Sequence, residues 1–201
     1  MTAVTAVALT EAMQELALVS IQPKGGSVYQ FAGIIEEVSP SIGDRDIEGI
    51  PLINGGRVVK KTPQADHELT LKIYPTDTRF SGSKDLIQGF MNVDASWDGT
   101  APFADTNTHN QELFQVCVVW CNDSTIITTA NGTSTAGTQA RRIVIKDMRM
   151  TSYKDSFDDK MVSAEITFKA PAFDTSGTGT VKYESCEASG SAGLPVIADY
   201  T

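Results

Sequence analysis

The chain has 201 residues, 16 basic and 25 acidic, for a formal charge of -9, with 41% apolar and 20% charged side chains. That length suits one domain with a full core, and the balance of apolar and charged residues excludes both a disordered chain and a membrane-spanning helical one. The acidic excess argues against a protein that grips nucleic acid, because neutralising phosphates needs clustered Lys and Arg.

Residues 1–26 open the chain as an apolar N-terminal arm. Glu11, Gln14 and Glu15 interrupt its apolar residues and no basic stretch precedes them, so it is not read as a secretory signal. Residues 9–18 fit a helix or a docked arm equally. Strands are expected over 28–38 and 67–74, the second alternating Leu69, Leu71 and Ile73 with Thr70 and Lys72 before Pro75 stops it. Between them lies a long connection, residues 40–66, rich in apolar residues: Ile42, Ile47, Ile50, Leu52, Ile53, Val58 and Val59. Structureless connections beyond about 15 residues are uncommon, and disordered ones lack apolar side chains, so this segment calls for a surface to pack on. Lys60 and Lys61 sit in it and suit the rim of a contact with acidic residues of a neighbouring copy.

A short helix is predicted over 83–91, with Ser83 as cap, Asp85 near the positive end, and Leu86, Ile87 and Phe90 on one face. Asp94, Ser96, Asp98 and Asp105 then follow at the oxygen-ligand spacing of a calcium loop. Asp in the last place instead of Glu, Pro102 within the loop, and no amphipathic helix after it favour a plain acidic turn, and no metal ligand is assigned. Residues 113–120, 142–150, 162–170 and 181–185 read as further strands, with a weaker one over 125–129. The clearest is 162–170, where Val162, Ala164, Ile166, Phe168 and Ala170 interleave with polar residues. Asp155, Asp158 and Asp159 read as a hairpin tip between Met150 and Met161. A flexible stretch then leads to an apolar tail within a C-terminal arm, 187–201, carrying Leu194, Val196 and Ile197. The resulting fold class is mainly β: an antiparallel sandwich or barrel of about seven strands with one short flanking helix.

Catalytic and cofactor residues are not found. His67 and His109 have no Cys or His at ligand spacing and read as surface residues, and no nucleophile elbow, phosphate loop or dinucleotide fingerprint is present. Gly25-Gly26 and Gly55-Gly56 read as turns, as do Asn122 and Asn131 despite their Asn-x-Ser/Thr context. Cys117, Cys121 and Cys186 are odd in number, and four residues along a strand separate the first two by roughly 13 Å, so buried free thiols are expected. The pairs Lys60-Lys61 and Arg141-Arg142 form no stripe with aromatics, so nothing reads bases.

Two stretches resemble the major tail tube proteins of tailed viruses and related contractile tubes. One runs from Gly33-Ile-Ile-Glu-Glu-Val-Ser-Pro40 through the long loop with Asn54-Gly-Gly-Arg57 to His67-Glu-Leu-Thr-Leu-Lys72. The other runs from Met150-Thr-Ser-Tyr153 through an acidic turn to Ile166-Thr-Phe-Lys-Ala-Pro-Ala-Phe173 and Gly177-Thr-Gly179. Together they cover about half the chain. The resemblance implies six copies closing into a ring, rings stacking into a tube, and the long loop with the terminal arms bridging subunits. It further implies other virion tail proteins as partners, a place in the virion tail after synthesis in the host cytoplasm, and an acidic bore through which DNA passes without specific binding. No membrane partner is implied.

Two alternatives stay open. A non-catalytic β-sandwich carbohydrate-binding module, calcium-dependent if the loop with Asp94, Ser96, Asp98 and Asp105 holds the ion, would use Trp97 as its platform, since Trp120 lies in an apolar strand and reads as core. Another virion component, such as a neck or terminator protein, would share the β-rich core without stacking indefinitely.

Overall fold

A computed structural model describes residues 16–31, 35–74, 79–81, 84–85, 113–121, 129–135, 137, 139–158, 161–186 and 191–201. Twelve strands are found among them: β1 Leu16–Pro23, β2 Tyr29–Phe31, β3 Ile35–Ser41, β4 Ile47–Pro51, β5 Arg57–Lys61, β6 His67–Ile73, β7 Arg79–Ser81, β8 Lys84–Asp85, β9 Phe114–Cys121, β10 Ala140–Asp158, β11 Met161–Ala170 and β12 Val181–Cys186. The main sheet runs β2-β1-β9-β10-β11-β6-β3, with β12 also paired to β10. All its pairings are antiparallel. The path is open, so the sandwich-or-barrel expectation resolves to a sheet folded over and not to a closed barrel.

β10 makes that fold. Its first half pairs with β9 and β12, its second half with β11, and the register slips between Ile145 and Met148 on one side and between Met150 and Ser152 on the other. Asp147 within this stretch has φ 57°, a left-handed conformation that Asp tolerates and that re-aims the strand. The two half-sheets thereby bring their apolar faces together. Val19, Ile21, Phe114, Val116, Val118, Ile143 and Ile145 of one meet Leu69, Leu71, Ile73, Ala164, Ile166 and Phe168 of the other. The rings of Phe114 and Phe168 sit edge to face, 6.0 Å between centroids.

β6 alternates buried and wetter residues as its sequence predicts, and β11 does so from Ala164 to Ala170, but Val162, expected on the core face, is exposed and Ser163, expected in water, is buried. β9 does not alternate: Phe114 to Val119 and Cys121 are all buried. A strand buried on both faces loses alternation, and the second cover comes from the C-terminal tail. Leu194 and Ile197 pack with Ala130 against Leu18, Cys117, Val119, Cys121 and Val144. The amide of Leu194 donates to Ser134 Oγ at 2.6 Å, that of Ile197 to the Asn131 carbonyl at 2.9 Å, and that of Tyr200 to Gln22 Oε1 at 3.0 Å. Residues 191–201, expected as an arm toward another subunit, therefore close the back of their own sheet. Likewise Leu16–Pro23 of the expected N-terminal arm is an inner strand between β2 and β9.

Arg142 fastens this cover. It is fully buried; its Nε donates to Glu184 Oε2 at 2.8 Å, one NH group to the carbonyls of Ala130 and Gly132 at 3.3 and 2.7 Å, and the other to Glu184 and the Pro195 carbonyl. Burial works against the Glu184 carboxylate, but hydrogen bonds from Lys182 and Arg142 outweigh it and hold its pKa below the usual range.

The predicted helix over 83–91 is not formed at its start, because Lys84–Asp85 pair with Arg79–Ser81 as a short ribbon. The rest of that helix, the four calcium-spaced residues, His109, Trp97, Asn122 and nearly all of the weak strand over 125–129 lie outside the described residues. Asn131 lies in a turn, as expected. Asp155, expected at a hairpin tip, is instead within the ladder opposite Ala164, and the strands run on to the pair Asp158 and Met161. None of the three cysteines is in a disulfide; burial pushes the Cys117 thiol up to about 11.

Candidate assembly site

The long connection is a β-hairpin, β4–β5, and not an irregular loop. Register pairs Ile47 with Lys61, Glu48 with Lys60, Gly49 with Val59, Ile50 with Val58 and Pro51 with Arg57. Asn54 and Gly55 turn the chain, with Gly55 at φ 82° and the Gly56 amide donating to Asn54 Oδ1 at 3.0 Å. Every residue of both strands is exposed. A two-stranded ribbon with neither face covered is marginal in water unless something holds it.

What holds it here is its root. The Gly43 amide donates to Nδ1 of His67 at 3.0 Å, and Gln64 Nε2 donates to the Gly43 carbonyl at 3.1 Å. A Cβ on Gly43 would lie 1.8 Å from the Ala65 carbonyl oxygen, so only glycine lets the two chains cross this closely. Above the crossing, the amide of Ala65 donates to the Asp44 carbonyl and that of Thr62 to the Asp46 carbonyl, while Thr62 Oγ1 accepts from the Asp46 amide. The Arg45 guanidinium lies 6.0 Å from the centre of the Phe173 ring.

His67 was expected at the surface; it is 3% exposed. Burial pushes its pKa below the usual histidine range, although a hydrogen bond with the Ala172 backbone and the charge of Asp66 pull the other way. With Nδ1 accepting from Gly43, the neutral ring is the form that locks the root. The residue stands in phase with Leu69, Leu71 and Ile73 on the buried face of β6, and that periodicity was the available sequence signal.

Of the residues singled out in the sequence, Ile47, Ile50, Leu52, Ile53, Val58 and Val59 are large apolar groups exposed on one hairpin, with Ile53 fully in solvent at its tip. Lys60 and Lys61 are exposed on the same ribbon. Ile42 stands apart: it is half-buried and lines a groove of about 470 Å³ with Pro40, Trp120, Arg141, Ile143 and Tyr183. Trp120 is partly buried against the main core, in line with its apolar strand context.

The wet face of the second half-sheet carries charge in alternation. Lys169 pairs with Glu68 at 3.0 Å and Lys72 with Glu36 at 2.8 Å, and Glu165 stands opposite Lys72 and Lys154 in the ladder. The net -9 of the chain is not concentrated there. Among the described residues, no three His, Cys, Asp or Glu side chains are grouped so as to hold a metal ion.

No protein-family model matches the chain, and no curated protein matches it by sequence. Solved structures do. A chain in the cryo-EM structure of the sheath/tube terminator of PVC, an extracellular contractile injection system in its extended state, matches with a TM-score of 0.55 at 16% identity over 89% of this chain and 99% of that one. A chain in the structure of the anti-feeding prophage cap, which terminates that particle's tube, matches at 0.52 and 13% identity over 84% of this chain and 88% of that one. The likeness establishes a shared fold.

Proposed function

We propose that this chain is a non-catalytic structural subunit of a phage-tail-like tube. It closes into six-membered rings, and the β4–β5 hairpin carries one ring onto the next. The single observation behind this reading is an entirely exposed ribbon bearing six large apolar side chains whose root is pinned by Gly43 and His67. A free surface of that kind draws water-exposed apolar area into a contact, and the shared fold with tube-terminating components supports the kind of particle. Its partners are then further copies of itself and neighbouring tail proteins, its place is the virion tail, and DNA crosses the bore without being gripped. If the wet face of β6 and β11 lines that bore, passing phosphates meet alternating charges and no cationic stripe, so sliding is favoured over binding.

A second reading is favoured by the neighbours themselves: a ring that ends a tube instead of extending it. Negative-stain electron microscopy over a concentration series separates the two. Tubes that lengthen with concentration support a tube subunit, single rings that never stack support a terminator, and monomers throughout refute both.

A further inference from the structure

The β4–β5 hairpin and the sheet it springs from are joined at one crossing. The Gly43 amide donates to Nδ1 of His67 at 3.0 Å, and Gln64 Nε2 donates to the Gly43 carbonyl at 3.1 Å. The bonds above it, from Ala65 to Asp44 and from Thr62 to Asp46, lie within the hairpin segment itself. His67 belongs to the body. It opens β6 opposite Ala170 of β11, its ring is buried, and it also bonds to the Ala172 backbone. That second bond favours the charged ring, so its acceptor is the Ala172 carbonyl. The neutral ring therefore carries its proton on Nε2 and keeps Nδ1 as the acceptor for Gly43.

A second proton does not fit this arrangement. An imidazolium donates from both nitrogens, so Nδ1–H would face the Gly43 N–H, donor against donor, in a buried site. The crossing has no slack either, because a Cβ on Gly43 would lie 1.8 Å from the Ala65 carbonyl oxygen. The charged groups on the surrounding elements do not compensate. Asp66 favours the charged ring, but burial opposes it more strongly. Asp44 and Arg45 beside Gly43 are exposed, and Arg45 lies over the Phe173 ring. Asp174, beyond Phe173, accepts from the amides of Ser176 and Thr178, and Glu68 and Lys169 pair with each other on the other face of the ladder.

We infer that His67 is an acid-operated catch on the β4–β5 hairpin: a proton on Nδ1 breaks the bond to Gly43 and releases residues 44–66 while the two half-sheets stay folded. The strands of the ribbon are already in water, so release exposes little apolar area and is a local opening instead of global unfolding. The open root takes the proton at about pH 6.5 and the closed root only lower. The open population then rises about tenfold for each pH unit below that, until the closed form is itself protonated. The inference concerns the ribbon's hold on its own sheet and stands whether or not rings stack.

The test is amide hydrogen exchange of the full chain from about pH 8 to about pH 5, read as protection relative to intrinsic rates so that the pH dependence of exchange itself is removed. Protection across residues 43–66 is expected to fall about tenfold per pH unit below about 6.5, while that of residues 68–73 in β6 holds. His67→Gln is expected to abolish the fall, because a carboxamide oxygen accepts from Gly43 and does not titrate. Protection over 43–66 that is unchanged with pH, that falls as steeply in His67→Gln, or that falls together with residues 68–73 would each overturn the inference. If His67→Gln does not fold, NMR of the wild type decides alone. The His67 ring, told from His109 with His109→Gln, and the Gly43 amide must titrate with one midpoint, and separate midpoints would overturn the catch.

Discussion

Replacing Arg142 by Met removes a buried cation from a site with no other use for the space. The guanidinium satisfies the carbonyls of Ala130, Gly132 and Pro195 and shares Glu184 with Lys182, whose Nζ lies 2.6 Å from Oε1. The variant leaves three acceptors without their donor and a carboxylate, its side chain 9% exposed, with one cation instead of two. Breaking one partner of a buried pair typically costs 3–5 kcal/mol, and Lys182 keeps Glu184 partly compensated, so a loss of about 3 kcal/mol is expected. Urea unfolding followed by circular dichroism reads it as a lower midpoint at unchanged slope. Arg142→Lys should recover little, because an ammonium does not reach Glu184 and three carbonyls at once. A loss below about 1 kcal/mol for Arg142→Met would refute the claim that this side chain fastens the C-terminal tail, as would tail residues 191–201 that stay as protease-resistant as in the wild type.

Phe168→Ala, in the core against Phe114, should cost about 3–5 kcal/mol in the same assay; a cost below about 0.5 kcal/mol would mean that the face of β11 is misassigned. Gly43→Ala should cost about 1–3 kcal/mol and open residues 44–66 to limited proteolysis, since the new methyl meets the Ala65 carbonyl; unchanged cleavage would show that the root is not close-packed. His67 has its pKa lowered in the fold, so the unfolded chain takes up its proton first as pH falls. Stability from this residue is complete above the unfolded pKa of about 6.5 and is lost as pH drops through and below it. His67→Gln should flatten that part of the stability-against-pH curve, and a curve identical to wild type would refute the assignment.

How much of this was legible in the sequence differs by element. β6 and β11 were plain because each has one face in the core and one in water, so apolar residues recur every second position. β9 was found as a strand, but its continuous burial was not interpretable until the tail over residues 191–201 covered its outer face, a contact separated by more than 70 residues from the strand it protects. Arg142 was hidden for another reason: one of two adjacent arginines in a strand gives no local sign that it alone faces the carbonyls of Ala130, Gly132 and Pro195. The β4–β5 hairpin was missed although Asn54-Gly55 between two apolar stretches is a hairpin signal, because neither strand alternates when neither face is buried. The apolar residues of that segment were nonetheless recognised as wanting a partner.

The central claim is that the exposed apolar ribbon joins copies of this chain. Its most direct test compares wild-type protein with the variant Ile50→Ser, Leu52→Ser, Ile53→Ser by negative-stain electron microscopy at matched concentrations, with circular dichroism on both. The account predicts stacked rings for the wild type and unstacked particles with an unchanged β spectrum for the variant. Variant particles that stack as the wild type does would contradict it.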